Sequence, residues 1–212
     1  MGPCMNITVH HLENSRSQRV VWLLEELALP YQLVRYNRDP VTGQAPPAVS
    51  GIHPLGKLPL VQDGNLTLAE SGLIFEHILD GADAKIGRPA EPESARRYQH
   101  FMHYAEGSLM PPLFALLVLG RMGEAGRTAA ADVRRSFEDH LAWMDSELSS
   151  RPWFAGDSFT AVDIMMSFPL EAARQRGGLD DRYANLNAFL HRIHSRPAYG
   201  AAIERGGPYA FA

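Results

Sequence analysis

Apolar positions over the first eighty residues fall in short runs that alternate with helix-spaced ones; beyond residue 92 helical spacing dominates. Residues 6–10 read as a buried strand. A polar turn over 11–15 follows, then a helix from about Arg16. Val20, Leu23, Leu24 and Leu27 share one face of that helix and Pro30 stops it. Residues 31–36 read as a second strand, completing a βαβ unit whose crossover makes a parallel pair. Residues 39–54 contain Gly43, Pro46, Pro47, Gly51 and Pro54 and read as loop with at most a short helix. Residues 58–62, a turn at Asp63-Gly64-Asn65 and residues 66–69 make a hairpin, closed by a helix over 71–80. The order βαβ then ββα predicts a small α/β domain with a mixed four-stranded sheet.

Residues 81–92, rich in Gly, Ala and Pro, read as a linker. Beyond them Tyr98, Phe101, Met102, Ala105 and Leu109 form a helical stripe, expected to kink near Pro111-Pro112. A second long helix carries Val133, Phe137, Leu141, Met144 and Leu148. Thr160-Ala161-Val162-Asp163 reads as a capping box that opens a helix running to about Arg174. Leu186, Phe189, Leu190 and Ile193 mark a further helix, stopped before Pro197.

Composition narrows the function. Net charge is −4 and no dense Lys/Arg stripe occurs, so no nucleic-acid surface is expected. The most apolar run, residues 113–119, is too short to span a bilayer, and no membrane partner is expected. The N-terminal residues lack the basic and apolar blocks of a secretion signal. A single cysteine, Cys4, fits a reducing compartment and a cytoplasmic protein. His100 and His103, and His191 and His194, lie three apart, yet no Cys or carboxylate cluster completes either set, so no metal is expected. No Gly-x-Gly-x-x-Gly or Walker loop supports nucleotide binding.

The chemistry concentrates at Gly56-Lys57-Leu58-Pro59-Leu60-Val61 and Glu70-Ser71. Proline cannot donate to a sheet ladder, so at a strand start it belongs on an edge or beside a gap in pairing. A peptide-like ligand would add itself there as a short extra strand. With Ser15-Arg16-Ser17-Gln18-Arg19-Val20, His53-Pro54, and Trp153 through Asp163, these segments resemble the cytosolic glutathione transferase family over nearly the whole chain. The resemblance implies a thioredoxin-like α/β N-terminal domain over 1–82, a linker over 83–92 and an all-α domain over 93–212. It implies glutathione as co-substrate, an electrophilic small molecule as second substrate, a detoxification role and a homodimer.

In that family Pro59 would be cis, turning the Leu58 N–H and C=O to the ligand cysteine; a plain edge-strand proline is the alternative. Ser71 would bind the γ-glutamyl carboxylate at a helix N-terminus, where free N–H groups favour an anion, or would simply cap the helix. Glu70 would accept from the ligand ammonium, and Lys57 would pair with the glycyl carboxylate unless it is only a solvated charge. Relatives carry Tyr, Ser or Cys after the first strand to hold the thiolate. Here Ser15 is the expected hydroxyl donor, with Asn14 as an amide donor in reserve; Ser15 as a simple N-cap stays open. Ser17 is expected to cap or pack, and Arg16 to add positive charge. Leu12, Tyr104, Ser108, Met110, Phe114, Met165 and Phe168 are expected around the electrophile. Asp163 is read as structural. Glutathione-dependent peroxide reduction and a non-catalytic glutathione-binding module are the alternatives.

Overall fold

A computed structural model of the protein describes residues 5–82 and 85–211, so Cys4 and residues 83 and 84 of the expected linker lie outside the described residues. By packing, these residues form two compact units: residues 5–87 with 195–210, and Arg88–His194 with Phe211. The final stretch returns to the first unit, so the chain crosses the division suggested by composition a second time.

The first unit contains β1 (Ile7–Leu12), α1 (Ser17–Glu26), β2 (Tyr31–Tyr36), β3 (Leu60–Asp63), β4 (Leu66–Ala69), α2 (Ser71–Ala82) and a last helix, α8 (Pro197–Gly206). The four strands form one mixed sheet, as the βαβ-ββα reading predicts, and their order is β2-β1-β3-β4. β1 pairs parallel with β2 and antiparallel with β3, which in turn pairs antiparallel with β4. Helix α1 packs on β1, α2 and α8. Val20, Leu23 and Leu24, three of the four predicted core positions of α1, are fully buried.

Two strand limits depart from the sequence reading, each for a local reason. β1 runs on through His11 and Leu12, in register with Arg35 and Tyr36. His11 looks like a turn residue but is 2% exposed. Its ring sits 2.9 Å from Ser17 Oγ on one side and bonds the Gly206 main chain on the other. Burial therefore pushes its pKa down to about 4 and the ring is neutral. β3 starts at Leu60 rather than Leu58, because Pro59 has no N–H for the ladder. The helix α8 was not anticipated. Pro197 opens it at a position where a missing N–H costs nothing, and Trp22–Tyr199 and Glu26–Arg196 contacts fasten it to α1.

The second unit is helical: α3 (Pro92–Tyr104), α4 (Met110–Arg121), α5 (Arg127–Glu147), α6 (Ala161–Ala172) and α7 (Ala184–His194). Ahead of Pro111-Pro112, where a kink is expected, the helix widens into a π turn over Ala105–Leu109, since two prolines in succession withhold the N–H groups an α ladder needs. Pro169 inside α6 precedes a similar wide turn at Ala173–Gly177, so α6 ends two residues short of Arg174. Every residue of α6 is buried, and the helix packs on α3, α4 and α7.

Asp163 anchors the start of α6. Its carboxylate accepts from the Thr160 N–H at 2.8 Å and from the Phe154 N–H at 2.9 Å, with no solvent exposure. Replacing it with alanine strands buried donors and is expected to cost about 3 kcal/mol, read as a lower urea midpoint for the helical unit. A midpoint shift within error would refute this structural role. A second expectation concerns His11. Its folded pKa lies below the unfolded value, so its contribution is complete above pH 6.5 and is lost as pH falls through about 4. The shift corresponds to about 3 kcal/mol, so His11→Gln should flatten the acid limb of a stability–pH curve. An unchanged acid limb would show that His11 titrates normally.

Candidate functional site

The strand registers bring the chemistry to one end of the sheet. His10 pairs with Leu60, and Leu60 with Ala69. The C-terminal ends of β1 and β4 and the entry to β3 therefore meet, and the N-termini of α1 and α2 follow directly from them. Asn14 and Ser15 leave β1, Lys57, Leu58 and Pro59 enter β3, and Glu70 and Ser71 leave β4.

Continued two residues, the β1–β3 register would set Leu58 opposite Leu12. Leu12 has nothing left to offer. Its N–H donates to Ser17 Oγ at 3.0 Å, and its carbonyl accepts from Ser15 Oγ at 2.8 Å and lies 3.2 Å from Ser17 Oγ. Pairing stops, and neither the N–H nor the C=O of Leu58 has a hydrogen-bond partner among the described residues. The Leu58–Pro59 peptide is cis, Pro59 is buried and Leu58 is half-buried. The chain reaches this point through Gly56, at φ +57, where an added Cβ would stand 2.7 Å from Ser50 Oγ, so glycine is favoured at that turn. Lys57 is exposed beside it.

At α2, Glu70 is the residue before the helix and its carbonyl accepts the first helical bond, from Ile74 N–H at 3.0 Å. Its φ is +70, a left-handed conformation costing a side-chain-bearing residue about 1 kcal/mol. The Glu70 side chain is exposed at the open helix end. Ser71 is 4% exposed, and its Oγ accepts from Arg19 Nη2 at 3.1 Å. A hydroxyl that accepts from a cation keeps its own proton to donate. Arg19, 1% exposed, places a permanent positive charge behind this helix N-terminus. Sequence reasoning used Arg19 only as a landmark; the signal it missed was an arginine on the apolar side of a helix.

At α1 the structure separates the two candidate donors. The Ser15 side chain is buried: Oγ lies 2.8 Å from the Leu12 carbonyl and 2.7 Å from Ser17 Oγ, and accepts from the Ser17 N–H. That hydroxyl closes the turn, and the donor left at Ser15 is its main-chain N–H, which has no partner among the described residues. Asn14 is half-buried and left-handed at φ +50, a conformation asparagine tolerates. Its Oδ1 accepts from the Ala210 N–H at 2.7 Å. Ser17 is fully buried in the same network, as expected for a packing residue.

In the helical unit, Met110, Met165 and Phe168 are core side chains, whereas Ser108 and Phe114 are exposed and Tyr104 bonds His140. A groove of about 340 Å³ there is lined by His100, Tyr104, Asp139, His140 and Trp143. Burial raises the Tyr104 hydroxyl to about 12, so it is a neutral donor. Among the described residues no helix is long and apolar enough to cross a membrane.

Comparison with known proteins identifies the arrangement. Residues 5–80 match the family described as glutathione S-transferase, N-terminal domain, and residues 127–192 the glutathione S-transferase, C-terminal domain. Glutathione S-transferase 3 of Schizosaccharomyces pombe is 37% identical, covering 94% of this chain and 87% of the relative. Glutathione S-transferase 1 of Saccharomyces cerevisiae is 32% identical over 94% of both chains. A crystal structure of a glutathione S-transferase from Actinobacillus pleuropneumoniae superposes with a TM-score of 0.87 at 33% identity, covering 97% of this chain and 95% of that one.

Proposed function

Because the chain belongs to the glutathione S-transferase family, we propose that its open strand edge and two helix ends hold glutathione and present the thiolate to an electrophile. The observation that carries this reading is the main chain of Leu58, unpartnered among the described residues and set between the N-termini of α1 and α2. An extended tripeptide satisfies both Leu58 groups through its cysteine, as an added strand would. Its γ-glutamyl carboxylate takes the Ser71 hydroxyl and the free N–H groups of α2, with the Arg19 charge behind. Glu70 accepts from the neighbouring ammonium, and Lys57 answers the glycyl carboxylate.

The reaction needs the ligand thiol ionised, and a free thiol titrates near 8.5. Asn14 Nδ2 and the Ser15 N–H are the donors at the open end of α1, aided by the partial positive charge there. A hydrogen bond to a charged group contributes about 1.5–3 kcal/mol, enough for one to two pKa units. The thiolate then attacks an electrophilic carbon, forming a carbon–sulfur bond and expelling the leaving group or adding to an activated double bond. Orientation and electrostatic stabilisation are the protein's contributions. The resemblance that supports this reading also carries a homodimer, which sedimentation equilibrium measures.

A non-catalytic glutathione-binding protein is the second reading, favoured by the inward commitment of the Ser15 hydroxyl. Titrating the ultraviolet thiolate absorbance of bound glutathione separates the two, since a binding module leaves the thiol at its free value. Asn14→Ala is expected to raise the bound thiol pKa and lower kcat/KM about tenfold at neutral pH. Ser15→Ala should lower Tm while leaving that pKa within a few tenths; the reverse ranking would return the role to the Ser15 hydroxyl. Glu70→Gly relieves a left-handed side chain, so it should stabilise the fold by about 1 kcal/mol while weakening glutathione binding. Unchanged affinity in Glu70→Gly would remove Glu70 from the ligand site.

A further inference from the structure

Asn14 is held from two directions that lie far away in sequence. The Ala210 main-chain N–H donates to its Oδ1 at 2.7 Å, across 196 residues. Arg38 Nη2 donates to its carbonyl at 2.8 Å. The same guanidinium donates from Nη1 to the Gly43 carbonyl at 2.8 Å and from Nε to the Glu13 carbonyl at 3.1 Å. The Arg38 N–H closes the arrangement on Glu13 Oε1 at 2.6 Å. One arginine thus ties together three carbonyls around the first βα turn.

These contacts decide what Asn14 presents. A carboxamide has an acceptor end and a donor end, and only its neighbours distinguish them. Ala210 offers only a donor, so Oδ1 faces it and Nδ2 faces away. No group of the described chain accepts from Nδ2. A flipped amide would set two donors against each other and strand the Ala210 N–H. Arg38, for its part, pins the carbonyl of a residue whose left-handed φ of +50 asparagine tolerates and most other side-chain-bearing residues do not. The C-terminal main chain is delivered to this place by α8, whose Gly206 bonds His11 beneath the same turn. A Cβ at Gly206 would lie 2.7 Å from the buried Gln18 Oε1, so that approach depends on glycine.

We propose that Arg38 and the main chain at Ala210 are positioning elements for the thiolate site, holding Asn14 left-handed with Nδ2 turned toward the ligand sulfur. The inference rests on the reading of Asn14 as the thiolate donor. It gives the C-terminal segment a part in the chemistry without contact to either substrate, and it explains why an arginine on the β2 side is spent on three carbonyls.

Ala210→Pro tests this directly, because proline deletes the N–H and keeps the chain length. The readouts are the thiol pKa of bound glutathione from its ultraviolet absorbance, with kcat and KM measured on a conjugation substrate. Ala210→Pro and Arg38→Ala should each raise that pKa by about one unit and lower kcat/KM about tenfold below it. KM for glutathione should stay within about twofold, and Arg38→Lys, retaining one cationic donor, should fall between wild type and Arg38→Ala. In an Asn14→Ala background Ala210→Pro should add nothing further to the pKa shift. If Asn14→Ala raises the pKa and Ala210→Pro does not, the positioning inference is overturned and the role of Asn14 stands. If Asn14→Ala itself leaves the pKa unchanged, the thiolate reading fails and takes the inference with it. Equal effects of Ala210→Pro in both backgrounds, or a loss confined to Tm, would reduce the contact to a structural one.

Discussion

The peptide groups of Leu12 are consumed by two serine hydroxyls, and the open strand edge at this end of the sheet follows from that local competition. A central strand normally hands its N–H and C=O to its neighbours. Here Ser15 and Ser17 take them first, so β3 loses its partner two residues before the sheet would otherwise end. Proline at position 59 then removes the next main-chain donor as well. Among the described residues, the result is a Leu58 whose N–H and C=O are both left without a hydrogen-bond partner. An unpaired polar main chain is costly when buried, and its half-exposed setting lets water or a ligand complete it.

Two helix N-termini open onto the same sheet end, and the protein treats them differently. At α2 a buried guanidinium stands behind Ser71, adding full positive charge to the partial charge of the helix end. That suits a permanently ionised carboxylate, which needs no coaxing into its charged form. At α1, among the described residues, no comparable cation bonds Ser15 or Ser17; the donors proposed there are an amide and a main-chain N–H. That suits a group whose ionisation must stay poised near neutral pH, because a stronger anion trap would make a weaker nucleophile.

Much of this was legible in the sequence. The βαβ unit, the hairpin and the capping aspartate Asp163 rest on short-range signals, whereas the β1–β3 pairing that orders the sheet joins residues as far apart as Ile7 and Asp63. Proline at a strand start and an acidic-hydroxyl pair before a helix carry their own local physics. What could not be read rests on contacts over long separations: Arg19 with Ser71 at 52 residues, and Ala210 with Asn14 at 196. The choice between Ser15 and Asn14 belongs to the same class. Spacing places both after the first strand, but only the folded turn reveals that one hydroxyl faces the Leu12 carbonyl. Pro197 reads as a helix stop from one side and as a helix start from the other, so α8 escaped notice.

Asn14 and Glu70 share an uncommon backbone property. Among the described residues only these two and Ala28 take positive φ without being glycine, and both lie at the sheet end. Ala28 sits just past the end of α1, where a left-handed residue is a usual way to finish a helix. Asn14 and Glu70 instead precede helices, one at each open N-terminus. Glycine would hold either backbone at lower cost, yet it would bring no amide and no carboxylate. Under the proposed reading the cost of these conformations is offset by the side-chain chemistry they bring, and contacts with Arg38, Ala210 and the first turn of α2 hold the two residues in place.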